Sequence, residues 1–315
     1  MQPTHVLAAP PALGPALARG ALRSPRKSRA LAGADSPAGT ADGFPRLLLP
    51  GVRIDLARLA AYERVCGFPT GEDAVPLTYP HVLGFPLAMR IMSGRAFPLP
   101  LLGLVHTSIE ITRRRRLPAH GEYEITVYVD GLTPHRRGTE ATVVTEVRDG
   151  NEEEGGFGVG VGVAWESRST YLARHGRGDG AAPGRERGSE GEPVLPGVVE
   201  WRWGGDVGRR YGAVSGDRNP IHLHPLGARL FGFPRAIAHG MWTVARCLAE
   251  HGTPPATLVR AEFRAPVSLP GTVTYAADGE TWGGFELRGG DATAPGRPGV
   301  RPRVHVSGHV YPLVV

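Results

Sequence analysis

The chain has 315 residues, 41% apolar and 21% charged, with 45 glycines and 30 prolines. This composition excludes a fibrous or wholly disordered protein and suffices for two domains of ordinary size. The formal net charge of +6 is concentrated: Arg19, Arg23, Arg26, Lys27 and Arg29 precede the first acid, Asp35, and without them 31 cations face 30 acids. A nucleic-acid-binding body carries its positive charge as a patch or stripe on the fold, so this distribution argues against nucleic acid as a partner.

Residues 1–50 read as a disordered basic leader. Its apolar stretch, Val6 to Ala18, is broken by prolines, and its positive charges follow that stretch where a secretory signal places them first. No apolar run approaches the roughly 18 residues that a membrane helix needs. Cys66 and Cys247 are the only cysteines, too few for a disulfide framework, so a reducing cytoplasm is the simplest compartment.

A low-complexity segment at 174–197, from Arg174 through Pro196, reads as a flexible linker between domains at 51–173 and 198–315. Both domains are expected to open with helical, loop-rich sequence and to end in strands, an α+β pattern. In the first, Tyr123, Ile125, Val127 and Val129 alternate with polar residues, the two-residue period of a half-buried strand. Phe157, Val159, Val161, Val163 and Trp165 repeat that period. The intervening Gly158, Gly160 and Gly162 mimic a dinucleotide loop but lie inside the alternation, with no helix after them. In the second domain Val273, Tyr275, Val304, Val306 and Val310 predict strands, and His239 to Glu250, free of proline, predicts a three-turn helix.

The two domains also resemble each other. Tyr62, Val65 and Gly67 match Tyr211, Val214 and Gly216 at an offset of 149, while Tyr79, Pro80 and Val105 match Phe233, Pro234 and Val259 at 154. A tandem duplication is the expected origin.

The segment Tyr211 to Met241 carries the chemistry. It places Asp217, Asn219 and His222 within six residues on a turn set by Pro220, with Gly240 eighteen residues further on at the start of the predicted helix. A carboxylate and an imidazole this close can hold one water and move protons both ways. A helix-start amide can stabilise an oxyanion on a carbonyl. Together they suit addition of water beside a thioester carbonyl. Other readings of the same residues exist: a partial metal set of Asp217, His222 and His224, a simple turn and cap at Asp217 and Asn219, and a packing role for Gly240. Ser215 lacks a Gly-x-Ser-x-Gly elbow, so a serine nucleophile is not expected. Arg113 to Arg116 reads as a solvated face, with CoA phosphates or an acidic carrier protein as its alternative use. His81 and His106 read as structural.

Ser215-Gly-Asp-Arg-Asn-Pro-Ile-His222, Ala228, Gly232-Phe233 and Ile237-Ala-His-Gly-Met241, with their spacing, resemble the MaoC-like family of (R)-specific enoyl-thioester hydratases and 3-hydroxyacyl-thioester dehydratases. Val259 to Val267 looks like the family's next strand. Pro76 to Val82 and Gly103 to His106 look like the degenerate first half of its two-hot-dog actinobacterial members.

The resemblance implies an α+β tandem hot-dog fold, each antiparallel sheet wrapped around a central helix, with catalysis in 198–315. It implies that Asp217 and His222 activate the water, that Asn219 orders them, and that the Gly240 amide polarises the thioester carbonyl. It implies substrate contacts from Ser215, Ile221, Ala238, His239, Met241 and Arg260. It further implies no metal or other cofactor, with CoA or acyl carrier protein as part of the substrate, and a role in fatty-acid or related acyl metabolism. Homodimers of such pseudo-dimeric chains are compatible with it.

By the repeat, Asp217 falls on Phe68, Asn219 on Thr70, His222 on Asp73 and, at 154, Gly240 on Pro86. Phe68 cannot accept a proton and Pro86 has no amide hydrogen, so the first half is expected to be catalytically dead. A hot-dog thioesterase and a non-catalytic acyl-thioester-binding or scaffold subunit are the alternative functions.

Overall fold

The computed structural model describes residues 2–32, 39–40, 43–150, 162–175, 195–279, 282–289 and 302–314. The alternation at Tyr123 to Val129 forms part of β5 (Glu122–His135), with all four apolar side chains buried. It is flanked by β3 (Arg46–Arg53) and β6 (Gly138–Asp149) and followed across the sheet by β7 (Trp165–Arg174) and β4 (Leu104–Arg113). The second half repeats this with β8 (Gly197–Trp203), β10 (Gly271–Ala277), β11 (Gly284–Gly289), β12 (Arg303–Pro312) and β9 (Thr257–Phe263). In each half the strands lie in the order first, third, fourth, fifth, second. The two sheets join where β4 pairs antiparallel with β9, Ile109 opposite Ala261 and Ile111 opposite Val259.

Each sheet packs against one central helix, α3 (Tyr79–Met92) in the first half and α7 (Gly240–His251) in the second. This is the expected α+β tandem architecture. Two smaller helices, α2 (Leu56–Cys66) and α4 (Val207–Ser215), also bring the halves together: the Tyr62 and Tyr211 rings lie 6.0 Å apart. Both helices end on a left-handed glycine, Gly67 at φ 83° and Gly216 at φ 84°, a backbone state that a Cβ disfavours. The offset of 149 is thus structural.

The offset of 154 does not hold at the central helices. Past the paired glycines the second half inserts α5 (Pro220–Leu223) and α6 (Pro225–Leu230). The central helices consequently start at Tyr79 and Gly240, and Pro86 lies in the middle of α3 rather than at the counterpart of Gly240. The inserted segment carries His222, so the first half has no equivalent of that histidine for a stronger reason than side-chain replacement.

Three further expectations are corrected. Each half opens with a strand, not a helix, because Leu47 and Leu49, like Trp201 and Trp203, alternate into the core. The first half accordingly begins at Arg46, ahead of the boundary expected at residue 51. Residues 1–50 also contribute more than a disordered leader: β1 (Thr4–Val6) pairs with β3, β2 (Gly39–Thr40) pairs with β5, and α1 (Leu13–Ala32) packs on α3. The physical reason is a helical stripe, Ala16, Gly20, Ser24, Lys27 and Leu31, that docks on the body. Ser24 Oγ accepts from the Leu102 amide at 2.9 Å, and Arg23 and Lys27 donate to the carbonyls of Ser93, Met92 and Gly94 at the end of α3. Cations at a helix C-terminus meet its exposed carbonyls and the negative end of its dipole. Of the strand expected at Phe157 to Trp165, residues 157–161 lie outside the described residues and β7 begins only at Trp165; most of the expected linker also lies outside them. Among the described residues no helix is long and apolar enough to cross a membrane.

Candidate active site

The left-handed Gly216 turns the chain out of α4 and starts a ladder of short side-chain contacts. The Asp217 amide donates to Ser215 Oγ at 3.2 Å, the Asn219 amide to Asp217 Oδ1 at 3.1 Å, and the Ile221 amide to Asn219 Oδ1 at 3.4 Å. Asn219 therefore caps α5 and holds the Asp217 carboxylate in place, joining a turn role to an ordering role. One turn into α5, His222 is buried and its Nδ1 donates to the Ile237 carbonyl at 2.8 Å, leaving Nε2 as the lone-pair nitrogen. Gly208 permits this approach, since a Cβ there would collide with the His222 backbone.

His239 completes the cluster. Its ring stacks on His222 with centroids 3.8 Å apart, and its Nε2 donates to the Asp217 carbonyl at 3.0 Å. One side-chain nitrogen or oxygen from each of Asp217, His222 and His239 lies within 4.8 Å of the others, a spacing that one water can bridge. The Asp217 side chain is 28% exposed, so it faces the opening, while the imidazoles are enclosed. Burial pushes the His222 pKa down, against the pull of the Asp217 charge. Burial, and then His222, push His239 down to about 3. Both rings are neutral near pH 7, so the His222 lone pair is available to a proton.

Gly240 opens α7, where the first amides have no intrahelical acceptor. A Cβ at this position would lie 2.9 Å from Phe263 Cε1, so glycine lets the helix start sit against that ring. Asp217, His222 and His239 thus meet at the start of α7, and Gly240 follows His239 as the first residue of that helix.

The MaoC like domain family matches residues 206–280. Over 265 residues the chain is 37% identical to 3-hydroxyacyl-thioester dehydratase X of Mycobacterium tuberculosis, covering 82% of this chain and 89% of that relative. The chain belongs to the MaoC-like family. Among solved structures, this MaoC-like chain is similar to HtdX of M. tuberculosis at 33% identity and a TM-score of 0.68, covering 85% of this chain and 100% of that one. A conserved hypothetical protein of M. tuberculosis described as having a double hotdog fold shares the fold at 12% identity and a TM-score of 0.52, covering 88% of this chain and 95% of that one.

The MaoC-like motif residues are distributed unevenly around the site. Ser215 is buried and spends its hydroxyl on the Asp217 amide; Ala238 is buried and its amide donates to Val267. Met241 is buried in the first turn of α7, and Ile221 is half-buried beside His222. Arg260 is not at the site. Val259, Ala261 and Phe263 face inward along β9, so the two-residue period turns Arg260 to the outer face, where it donates to Glu110 across the seam at 2.7 Å. His224 Nδ1 accepts the Leu226 amide at the start of α6, so His239, not His224, is the second imidazole beside Asp217. The metal-ligand reading of this cluster therefore involves His239 in place of His224, since one atom each of Asp217, His222 and His239 comes within 4.8 Å of the others. Arg113 is buried, not solvated: it donates to the Pro254 and Pro255 carbonyls at 2.6 and 2.9 Å and ties the halves together. Arg115 pairs with Asp149.

Residues of the first half that the sequence left as structural form the opposite wall. His106 stacks on Tyr171 at 4.5 Å and meets the tilted Phe263 ring at 4.6 Å, and His81 lies parallel to it at 6.3 Å. Phe263, which packs on Gly240, also contacts the His106 ring, so this group lies beside the start of α7; the Asp217 charge also acts on His81 and Tyr171. Burial lowers His81 to about 4 and His106 to about 3. No local motif marks these residues, because they reach the site only through the β4–β9 seam.

Proposed function

We propose that the chain catalyses reversible hydration of trans-2-enoyl thioesters to (R)-3-hydroxyacyl thioesters, acting as a dehydratase in the reverse direction. The observation that carries this is the cluster of the Asp217 carboxylate and the His222 and His239 imidazoles at the N-cap of α7. The dehydratase name of the relative similar over most of its length supports the same reaction class.

In hydration a water lies between Asp217 and His222. Its oxygen bonds to C3 as one of its protons passes to the dyad; the C2–C3 π electrons move toward the carbonyl, and the enolate oxygen accepts a hydrogen bond from the Gly240 amide. A proton from the dyad then closes the reaction at C2. The pair acts as one titrating unit, so both proton movements belong to it jointly. Asn219 and His239 hold the Asp217 main chain and carboxylate, and the wall of His81, His106 and Tyr171 bounds the site. The proposed chemistry uses no metal or separate cofactor; CoA or a pantetheinylated carrier protein is the thiol portion of the substrate.

The test is loss of the conjugated enoyl absorbance on a series of short to long trans-2-enoyl-CoAs, with chiral analysis of the product. Free thiol release without hydration would identify a thioesterase instead. Binding without turnover would identify a scaffold subunit, and a purely (S) product would overturn the stereochemical assignment.

A further inference from the structure

The turn that carries Asp217 is held from two directions. From within, His239 donates to the Asp217 carbonyl. From the N-terminal segment, Leu13 at the start of α1 lies over Gly216: a Cβ on that glycine would collide with Leu13 Cδ1. Glycine is thus required there twice, by a φ of 84° and by this contact. Leu13 is part-buried against the core, while Leu22 on the same helix is 81% exposed.

The contact is delivered from the first half. Ser24, Arg23 and Lys27 fasten α1 to the Leu102 amide and to the last carbonyls of α3, and Leu101 packs so closely on Gly20 that a Cβ there has no room. Leu13 precedes Lys27 by 14 residues, roughly 21 Å along the helix. α1 therefore reaches from the end of α3 to the turn beside the dyad. The duplicated half lacks this arrangement. Gly67, the counterpart of Gly216, is faced by the Arg246 side chain of α7, and among the described residues no helix stands between β7 and β8 as α1 stands ahead of β3. Of the two paired glycines, the one that leads into the dyad has an apolar side chain over it.

The turn's own bonds are weak. The amides of Asp217, Asn219 and Ile221 reach side-chain oxygens at 3.2, 3.1 and 3.4 Å, the long end of the range for N–H···O bonds, and the Asp217 side chain is part-exposed. Water competes for such bonds. Arg58 of α2 donates to the Val214 carbonyl at 2.7 Å and so fixes the end of α4, but Gly216 itself has the widest choice of backbone states in the turn. An isobutyl group against it restricts that choice and keeps water from the start of the ladder.

We propose that Leu13 is a positioning residue of the active site: docked α1 holds it against Gly216, and this contact keeps the Asp217 carboxylate at the spacing from His222 that one water bridges. The first half, which lacks a dyad, thereby takes part in the reaction through the N-terminal segment. The kinetic consequence rests on the dehydratase reading; the ordering of the turn does not.

Leu13→Ala, Leu13→Met and Leu22→Ala in the full chain test this by hydrogen exchange of the segment 212–223 and by steady-state kinetics on one enoyl-CoA. In Leu13→Ala that segment is expected to exchange about tenfold faster and kcat to fall about tenfold with KM within about twofold of the parent, the pattern of a misplaced catalytic group. Leu13→Met keeps an apolar side chain over the glycine and should recover most of both. Leu22→Ala should change neither. Unchanged exchange in Leu13→Ala, faster exchange with unchanged kcat, faster exchange spread over the whole chain, or a defect that Leu13→Met does not relieve would each overturn the proposal. The exchange measurement needs no turnover, so a parent chain without hydratase activity would overturn the dehydratase reading, while exchange would still decide whether Leu13 orders the turn.

Discussion

His239 Nε2 donates to the Asp217 carbonyl oxygen at 3.0 Å while the His239 ring stacks on His222 at 3.8 Å. One side chain therefore fixes the spacing of the two proposed catalytic residues, from the backbone of one and the ring face of the other. It does so from the N-cap position of α7, so the dyad and the Gly240 amide are positioned by adjacent residues. His239 is a positioning residue whose neutral state is maintained by burial.

Substitution of either dyad member should remove most of the turnover. Asp217→Ala and His222→Ala are each expected to lower kcat by about 10³, within the range general acid–base groups supply, with secondary structure retained. Asp73→Ala, at the exposed position matched to His222 by the 149 offset, is expected to be as active as the parent. Steady-state assay of the three variants on one enoyl-CoA checks this; full activity in His222→Ala would sink the dyad.

The glycine at the start of α7 has a packing requirement as well as an amide. Gly240→Ala places a methyl group 2.9 Å from Phe263 Cε1 and should displace the helix start, lowering kcat about tenfold or more because oxyanion contacts act in the transition state. Phe263→Leu in the same chain should restore part of the loss. A double variant no better than Gly240→Ala alone would place the defect elsewhere.

Stability should fall on mild acidification. His81, His106 and His239 are held at about 4, 3 and 3 by burial, below the unfolded value of about 6.5. The unfolded chain therefore binds protons that the folded chain does not. Their contribution is complete above about pH 6.5 and is lost as pH falls from there toward their folded pKa values, at up to about 1.4 kcal/mol per pH unit for each proton. Urea unfolding at pH 7, 5.5 and 4.5 measures the slope, and His106→Leu should reduce it by one proton. An unchanged slope in that variant would contradict a neutral, buried His106.

The basic N-terminal segment should stabilise the fold. Lys27 donates to the carbonyls of Met92 and Gly94 at 3.3 and 3.0 Å, and partial burial, followed by Arg23, lowers its pKa to about 8. Lys27→Met is expected to cost about 1 kcal/mol, the value of an ordinary hydrogen bond and below that of a buried charged one because the site is half-open. Removal of residues 1–32 should cost more, since Ala16 and Leu31 leave the core with it. Thermal melts of both variants check this, and an unchanged melting temperature after truncation would mean that α1 does not hold the body.

Local pattern carried far in this chain. Two-residue alternation located β5, β10 and β12, the absence of proline located α7, and the paired glycines after α2 and α4 revealed the duplication, because each signal depends on neighbours in sequence. The motif from Ser215 to Met241 marked Asp217, Asn219, His222 and Gly240 for the same reason: a tight turn, a cap and a helix start are short-range structures. Arg260 was misplaced because its strand was recognised but its face was not used: Val259 and Ala261 bury on one side of β9 and send Arg260 to the other.

What the amino-acid order alone determined is thus the two-half α+β plan and the turn that holds the dyad, both set by contacts within a few residues. Tertiary structure decided the rest. It brought His239 between Asp217 and His222, set His81, His106 and Tyr171 opposite them across the β4–β9 seam, and converted a charged N-terminal segment into a docked helix. Those contacts join residues 150 or more positions apart, as at Glu110 and Arg260. Their physical basis is sheet register and burial, which no single window of sequence contains.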